Sequence, residues 1–176
     1  MLCYILRWGG QRQRVCIARA LILNPQFIVA DEPVSMLDVS IRASILKLML
    51  RWKQESDVSY LFVTHDLAVA RHMCDRIAIM YLGEIVEMGA IEKVIETPQH
   101  PYTQALMAAV PDPEAERTTV KIKGEVPTVT EAPSGCRFHP RCPYIKDSCK
   151  VDSPTLVELE RDHLVACHSR DVGPNF

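Results

Sequence analysis

Three short segments of the chain carry side chains whose types and spacing suit phosphate chemistry. The run Phe27-Ile28-Val29-Ala30-Asp31-Glu32 is apolar until it ends in two adjacent carboxylates, and Pro33 stops it. That pattern places acids at the carboxyl end of a buried strand, where open α/β sheets build their sites. Two such acids fit an Asp31 that coordinates Mg2+ and a Glu32 that positions or activates water. Successive strand residues face opposite sides unless the backbone turns, so the two acids are expected to take different roles. Thr64-His65-Asp66 follows a second apolar run. Parallel strands deliver their carboxyl ends to one edge, so His65 is expected near Glu32, where an imidazole can hydrogen-bond a terminal phosphate or an attacking water. Gly9-Gly10-Gln11 opens a helix, and free N–H groups at its positive end suit an anion, phosphate above all. Each segment also has a plainer reading: a strand end reaching solvent, a surface or capping histidine, a glycine pair that only permits a turn.

A fourth constellation is made of thiols. Cys136, Cys142, Cys149 and Cys167 have five, six and seventeen residues between them. Zinc ribbons and fingers show closer first pairs, and the bacterial ferredoxin run is tighter too. Spacing alone therefore leaves both a metal centre and four packed thiols open. Prolines and charges around these cysteines argue against an ordinary apolar core, and His139, His163 and His168 are alternative nitrogen ligands for zinc. Cys16 and Cys74 read as packed thiols, and Cys3 as unrelated to the cluster.

The elements that must position these groups follow from periodicity. Residues 11–23 read as a helix with Val15, Ala18, Leu21 and Ile22 on one face, ended by Asn24-Pro25. Residues 26–30 and 58–63 read as buried strands. Between them Ser40 can cap a helix to about Lys53, with Ile41, Ile45, Leu48 and Trp52 facing inward. A helix over 66–73 follows, then a hairpin of 76–81 and 84–88 around Leu82-Gly83 at a sheet edge, then short helices over 91–96 and 101–110. Strand–helix–strand–helix order argues an α/β fold with a mainly parallel sheet, although two buried parallel strands are too few to stand alone. Residues 111–119, rich in Pro and Glu, read as a linker. Residues 120–176 have little periodicity and half of the prolines, so a metal centre is one source of order there.

Composition sets the frame. A chain of 176 residues, 48% hydrophobic and 24% charged, is globular, with room for one domain and an appendage. The net charge of −2 gives no reason to expect nucleic acid or an anionic membrane as partner. No run reaches the 18 or so apolar residues that a spanning helix needs, and residues 1–6 are too short and poorly flanked for a signal peptide. A cytosolic location is therefore expected, which disfavours reading the seven cysteines as disulfides.

Taken in order, GGQRQRV (9–15), FIVADEP (27–33), SMLD (35–38), THD (64–66) and CDRIAIMYLGEIVEMG (74–89) resemble ABC-transporter ATPase subunits. HPYTQAL (100–106), IKGEVP (122–127) and GCRFHPRCP (135–143) narrow the resemblance to the ATP-binding subunits of bacterial and archaeal oligopeptide/dipeptide importers, over nearly the whole chain from Gly9. The resemblance implies the C-terminal part of a P-loop NTPase domain with a small cysteine-rich extension. Its partition is 1–110 for the partial ATPase, 111–119 for the linker and 120–176 for the cysteine-rich region. Asp31 would match the Walker B magnesium ligand, Glu32 the catalytic carboxylate that polarises water, and His65 the switch histidine that senses the γ-phosphate. Gly9, Gly10 and Gln11 would match the signature loop that closes on ATP held by the opposite subunit, and Asp38 the loop that communicates across the dimer. ATP and Mg2+ are the implied ligands. The implied partners are a second ATPase subunit, two transmembrane permeases and, indirectly, an external peptide-binding protein, with the ATPase pair peripheral on the cytoplasmic face of the membrane. For Cys136, Cys142, Cys149 and Cys167 the resemblance favours a structural 4Fe–4S cluster, with zinc as the alternative.

The departures are as informative. No G-x-x-x-x-G-K-[ST] segment occurs in the sequence, so the loop and lysine that hold the β/γ-phosphates are missing. Where the family has Leu-Ser before Gly9, this chain has Arg7-Trp8, and an indole in place of a small hydroxyl is expected to impair the composite ATP site. The pattern reads as a broken or frame-shifted gene, or a start inside a longer reading frame. A rival reading follows, in which the polypeptide is a non-catalytic fragment or docking module.

Overall fold

A computed structural model of the chain describes residues 9–110, 122, 124 and 132–169. They fall into two compact units, divided between Cys74 and Asp75. The linker expected over 111–119, and Cys3 and Trp8, lie outside the described residues.

The first unit runs α1 (Gly9–Leu21), β1 (Phe27–Asp31), α2 (Val39–Ser56), β2 (Ser59–Val63) and α3 (Leu67–Met73). β1 and β2 are parallel, in register from Phe27 opposite Ser59 to Asp31 opposite Val63. Val, Ile and aromatic side chains favour the pleat, and their period of two splits them between its faces. One face meets the core of Ala30, Val34, Ile45, Leu46, Met49, Val69 and Met73, against which Tyr60 and Phe62 pack. The other face carries Phe27, Val29, Leu61 and Val63, which are 57, 59, 51 and 45% exposed.

Two expected helix faces are corrected. In α2 the buried residues are Ile45, Leu46 and Met49. Leu48 and Trp52 are half-buried instead, because the cluster that α2 joins includes Val69 and Met73 of α3 as well as strand residues. In α1 Leu21 and Gly10 are buried, with Ile17 against the core; Val15 and Ile22 stay exposed because no described element covers that side. Ser40 is not the cap of α2. Asp38 holds the N-cap position, without a side-chain hydrogen bond, and left-handed Asp57 ends the helix.

The second unit departs further from expectation. β3 (Arg76–Tyr81) and β4 (Glu84–Ala90) form the expected hairpin, and positive φ at both Leu82 and Gly83 fits the turn that the twist of paired strands prefers. The hairpin lies at a sheet edge, as expected, with β3 outermost. β5 (Val157–Glu160) and β6 (His163–Val165) join it in an antiparallel sheet of order β3-β4-β6-β5. Four residues of β5 and three of β6 are too few to show periodicity, so sequence alone does not reveal these strands. Gly89 permits the β4–β6 approach, since a Cβ there would lie 2.4 Å from the Asp162 carbonyl oxygen. α4 (Ile91–Glu96) and α5 (Pro101–Ala109) follow β4, and a 3-10 turn (His139–Arg141) and α6 (Ser148–Val151) precede β5. Glu87 of β4 is fully buried and accepts hydrogen bonds from Gln99 N (2.8 Å), His100 N (2.9 Å) and His163 Nε2 (2.7 Å). A buried carboxylate needs donors of this kind.

Candidate functional site

Glu32 leaves β1 with φ of 45°, a left-handed conformation that a residue with a Cβ adopts at a cost of roughly 1–3 kcal/mol. Its N–H still reaches the Val63 carbonyl (2.9 Å), extending the parallel ladder one step beyond the strand. The twist turns the carboxylate along the sheet edge to the end of β2. There Oε1 accepts the His65 backbone N–H (3.1 Å) and the ring Nδ1–H (2.6 Å). The carboxylate fixes the proton on Nδ1 and leaves Nε2 outward on a side chain 78% exposed. The juxtaposition of Glu32 and His65 read from topology is therefore present. Asp31 is exposed, and its strand position puts it on the opposite side from Ala30.

The loop between β1 and α2 is tied back to Glu32: Ser35 N and Oγ both donate to the Glu32 carbonyl (3.4 and 3.1 Å). Asp38 is exposed at the end of this loop, and its carbonyl accepts the Arg42 N–H at 2.8 Å. Gly9 and Gly10 open α1, and Gln11 is exposed. Gly10 has a packing reason that sequence did not suggest, because a Cβ would meet Ile41 Cγ2 at 2.4 Å. Among the described residues no hydrogen bond joins Gln11 to Glu32 or His65. Arg42, which sequence did not single out, pairs at 3.1 Å with Asp66, the last residue of the Thr64-His65-Asp66 segment. The available signal was the place of Arg42 four residues after Asp38.

The four cysteines of the second unit are free thiols drawn together by main-chain contacts. Cys136 N donates to Cys149 O (2.9 Å), and the 3-10 turn links Cys142 N to His139 O and His139 N to Cys136 O. Ser169 N donates to Cys167 Sγ (3.3 Å) while its hydroxyl donates to Tyr144 O, two residues beyond Cys142. Burial pushes the Cys136 thiol up and Cys142 up to about 11, and neighbouring thiols of the same set add to both shifts. Among the described residues, no three His, Cys, Asp or Glu side chains stand as a ready group for one metal ion. His163, offered as a zinc ligand, is turned to Glu87; His139 Nδ1 and His168 Nε2 contact the carbonyls of Cys136 and Asp152. No helix among the described residues is long and apolar enough to cross a membrane.

Comparison with known proteins adds two family matches. Residues 9–35 match the model "ABC transporter", and residues 86–149 match "Oligopeptide/dipeptide transporter, C-terminal region". The chain is 51% identical over 92% of its length to "Probable peptide ABC transporter ATP-binding protein y4tS" of Sinorhizobium fredii, covering 46% of that protein. It is 48% identical over 91% to "Oligopeptide transport ATP-binding protein AppF" of Bacillus subtilis, and 46% identical over 93% to "Dipeptide transport ATP-binding protein DppF" of Haemophilus influenzae, covering 50% of each. It thus spans about half the length of the curated relatives it matches. A solved ATP-binding cassette of an ABC transporter in its ADP conformation overlaps 54% of this chain and 39% of its own, at 29% identity and a TM-score of 0.47.

Proposed function

We infer that this chain, similar over nine-tenths of its length to about half of a peptide ABC-transporter ATP-binding protein, supplies the water-activating edge of such a subunit. The observation that carries the reading is the contact of Glu32 with His65 across the ends of two adjacent parallel strands. In this role Glu32 polarises the attacking water, and His65 presents Nε2 to the terminal phosphate of ATP. Phosphoryl transfer depends on positioning and charge stabilisation, and both residues are held by backbone geometry rather than by long flexible side chains. Asp31 would hold Mg2+, which supplies charge neutralisation at the phosphates when bound. Gly9, Gly10 and Gln11 would close on nucleotide held by a second ATPase subunit, with Asp38 signalling across that pair. Two membrane-spanning permeases and, indirectly, an external peptide-binding protein complete the assembly, with the ATPase pair on the cytoplasmic face of the membrane, where hydrolysis drives peptide import. The family partition is 1–110, 111–119 and 120–176, the C-terminal part of a P-loop NTPase followed by a cysteine-rich extension.

For that extension we propose a structural 4Fe–4S cluster on Cys136, Cys142, Cys149 and Cys167. Four free cysteines of one unit can supply the four thiolates that such a cluster takes, and the contacts of the histidine nitrogens count against a zinc site that uses imidazole. The thiols would close on the cluster by local rearrangement, since binding and folding are coupled at such sites.

The test is to complete the chain by fusion with the part of a relative that it does not match, pair it with a cognate subunit, and measure Mg-ATPase. Glu32→Gln should lower kcat by about 10²-fold or more, the scale of general-base loss. Equal rates would overturn the assignment. A second reading, a non-catalytic docking piece, is favoured for the 176-residue polypeptide alone by the missing G-x-x-x-x-G-K-[ST] segment. By itself it should show no turnover that Glu32→Gln abolishes.

A further inference from the structure

We propose that Arg42 is a positioning residue for His65, acting through Asp66. The side chain of Asp66 is divided between two tasks. Oδ1 caps α3 by accepting Ala68 N (3.0 Å) and Val69 N (3.2 Å), and Oδ2 receives Arg42 Nη1 at 3.1 Å. The Asp66 N–H is in turn held by Thr64 Oγ1 at 3.0 Å. His65 therefore sits between two residues whose orientations are fixed by side-chain hydrogen bonds, and its own N–H and Nδ1 both meet one oxygen of Glu32.

Arg42 stands in the first turn of α2, with its N–H on the Asp38 carbonyl, so the guanidinium spans from the end of the β1–α2 loop to the His65 turn. Both partners are about one-third exposed, and Arg42 Nε is buried without an acceptor among the described residues. An incidental surface pair would leave that N–H in water; burying it has a cost that the arrangement bears. Capping of α3 needs only Oδ1. The second oxygen and the guanidinium set the angle of the turn, and through it the Glu32–His65 contact. A shift of the loop carrying Asp38 would reach His65 by this route. The consequence for hydrolysis rests on the reading of Glu32 and His65 given above; the positioning itself does not.

The two are separable by experiment. Long-range 15N–1H NMR of the 176-residue chain reports which ring nitrogen of His65 carries the proton. The native chain should show His65 protonated on Nδ1. Arg42→Met should shift His65 toward the Nε2–H tautomer, and Arg42→Lys should restore part of the native signature. Asp66→Asn keeps a capping oxygen but loses the charge that holds Arg42, so it should reproduce the Arg42→Met spectrum. If α3 needs only its cap, Asp66→Asn and Arg42→Met leave His65 unchanged, and the proposal falls. Should Arg42→Met fail to fold, Asp66→Asn alone decides between the same two outcomes. Failure of the ATPase reading is seen elsewhere, in an unaffected Glu32→Gln rate, and does not touch this result.

Discussion

At the scale of single residues, titration distinguishes the buried groups. His100 is 1% exposed, and burial lowers its pKa to about 4 against an opposing pull from Glu87. The unfolded chain binds a proton near pH 6.5 that the native state refuses until about pH 4, so stability falls as pH drops through that window. His100→Asn should flatten this loss while keeping a side-chain oxygen for the Tyr102 N–H that Nδ1 now accepts. Urea unfolding at pH 7 and pH 5 provides the check: the native chain should lose more stability between the two than the variant, and an equal loss would place the titration elsewhere. The contact of Glu32 with His65 was legible at this scale, because acids and a histidine at the ends of parallel strands share an edge. The left-handed backbone of Glu32 was not, since sequence carries no mark of it at a residue other than glycine, asparagine or aspartate.

Among the elements, β1 and β2 carry the largest tension between sequence and surroundings. A parallel pair is ordinarily covered on both faces, yet Phe27, Val29, Leu61 and Val63 lie on a face that is half open. The continuous apolar runs announced a doubly covered sheet, and they gave the strands to within a residue. They did not say which face this polypeptide would leave bare. Such a face, with strand edges beside it, favours association. The isolated chain should self-associate at micromolar concentration, and Val29→Lys with Leu61→Lys should shift it toward monomer in light scattering after gel filtration. An unchanged mass distribution would mean that another surface drives association.

For the whole molecule, the second unit depends on contacts that no local pattern reveals. Alternation found the β3–β4 hairpin, but the second partner of β4, β6, lies between Cys149 and Cys167, where the strands are too short to show a period. Residue spacing flagged Cys136, Cys142, Cys149 and Cys167, whereas their convergence rests on main-chain bonds such as Cys136 N to Cys149 O. With a cluster bound, anaerobic purification should yield about four irons and four sulfides per chain. Cys142→Ser with Cys149→Ser should remove both. One zinc without sulfide, or iron that survives the double substitution, would refute the ligand set.

The pairing of β4 with β6 also orders events during synthesis. Glu87 and its partner His163 are 76 residues apart, so at roughly 5–20 residues per second the ribosome needs about 4–15 s after making the first to supply the second. Through that interval the hairpin can form, but the carboxylate lacks its imidazole and β4 lacks its second neighbour, β6. A nascent chain stalled before His163 would therefore present an open strand to chaperones and proteases, and the sheet closes only when β5 and β6 emerge.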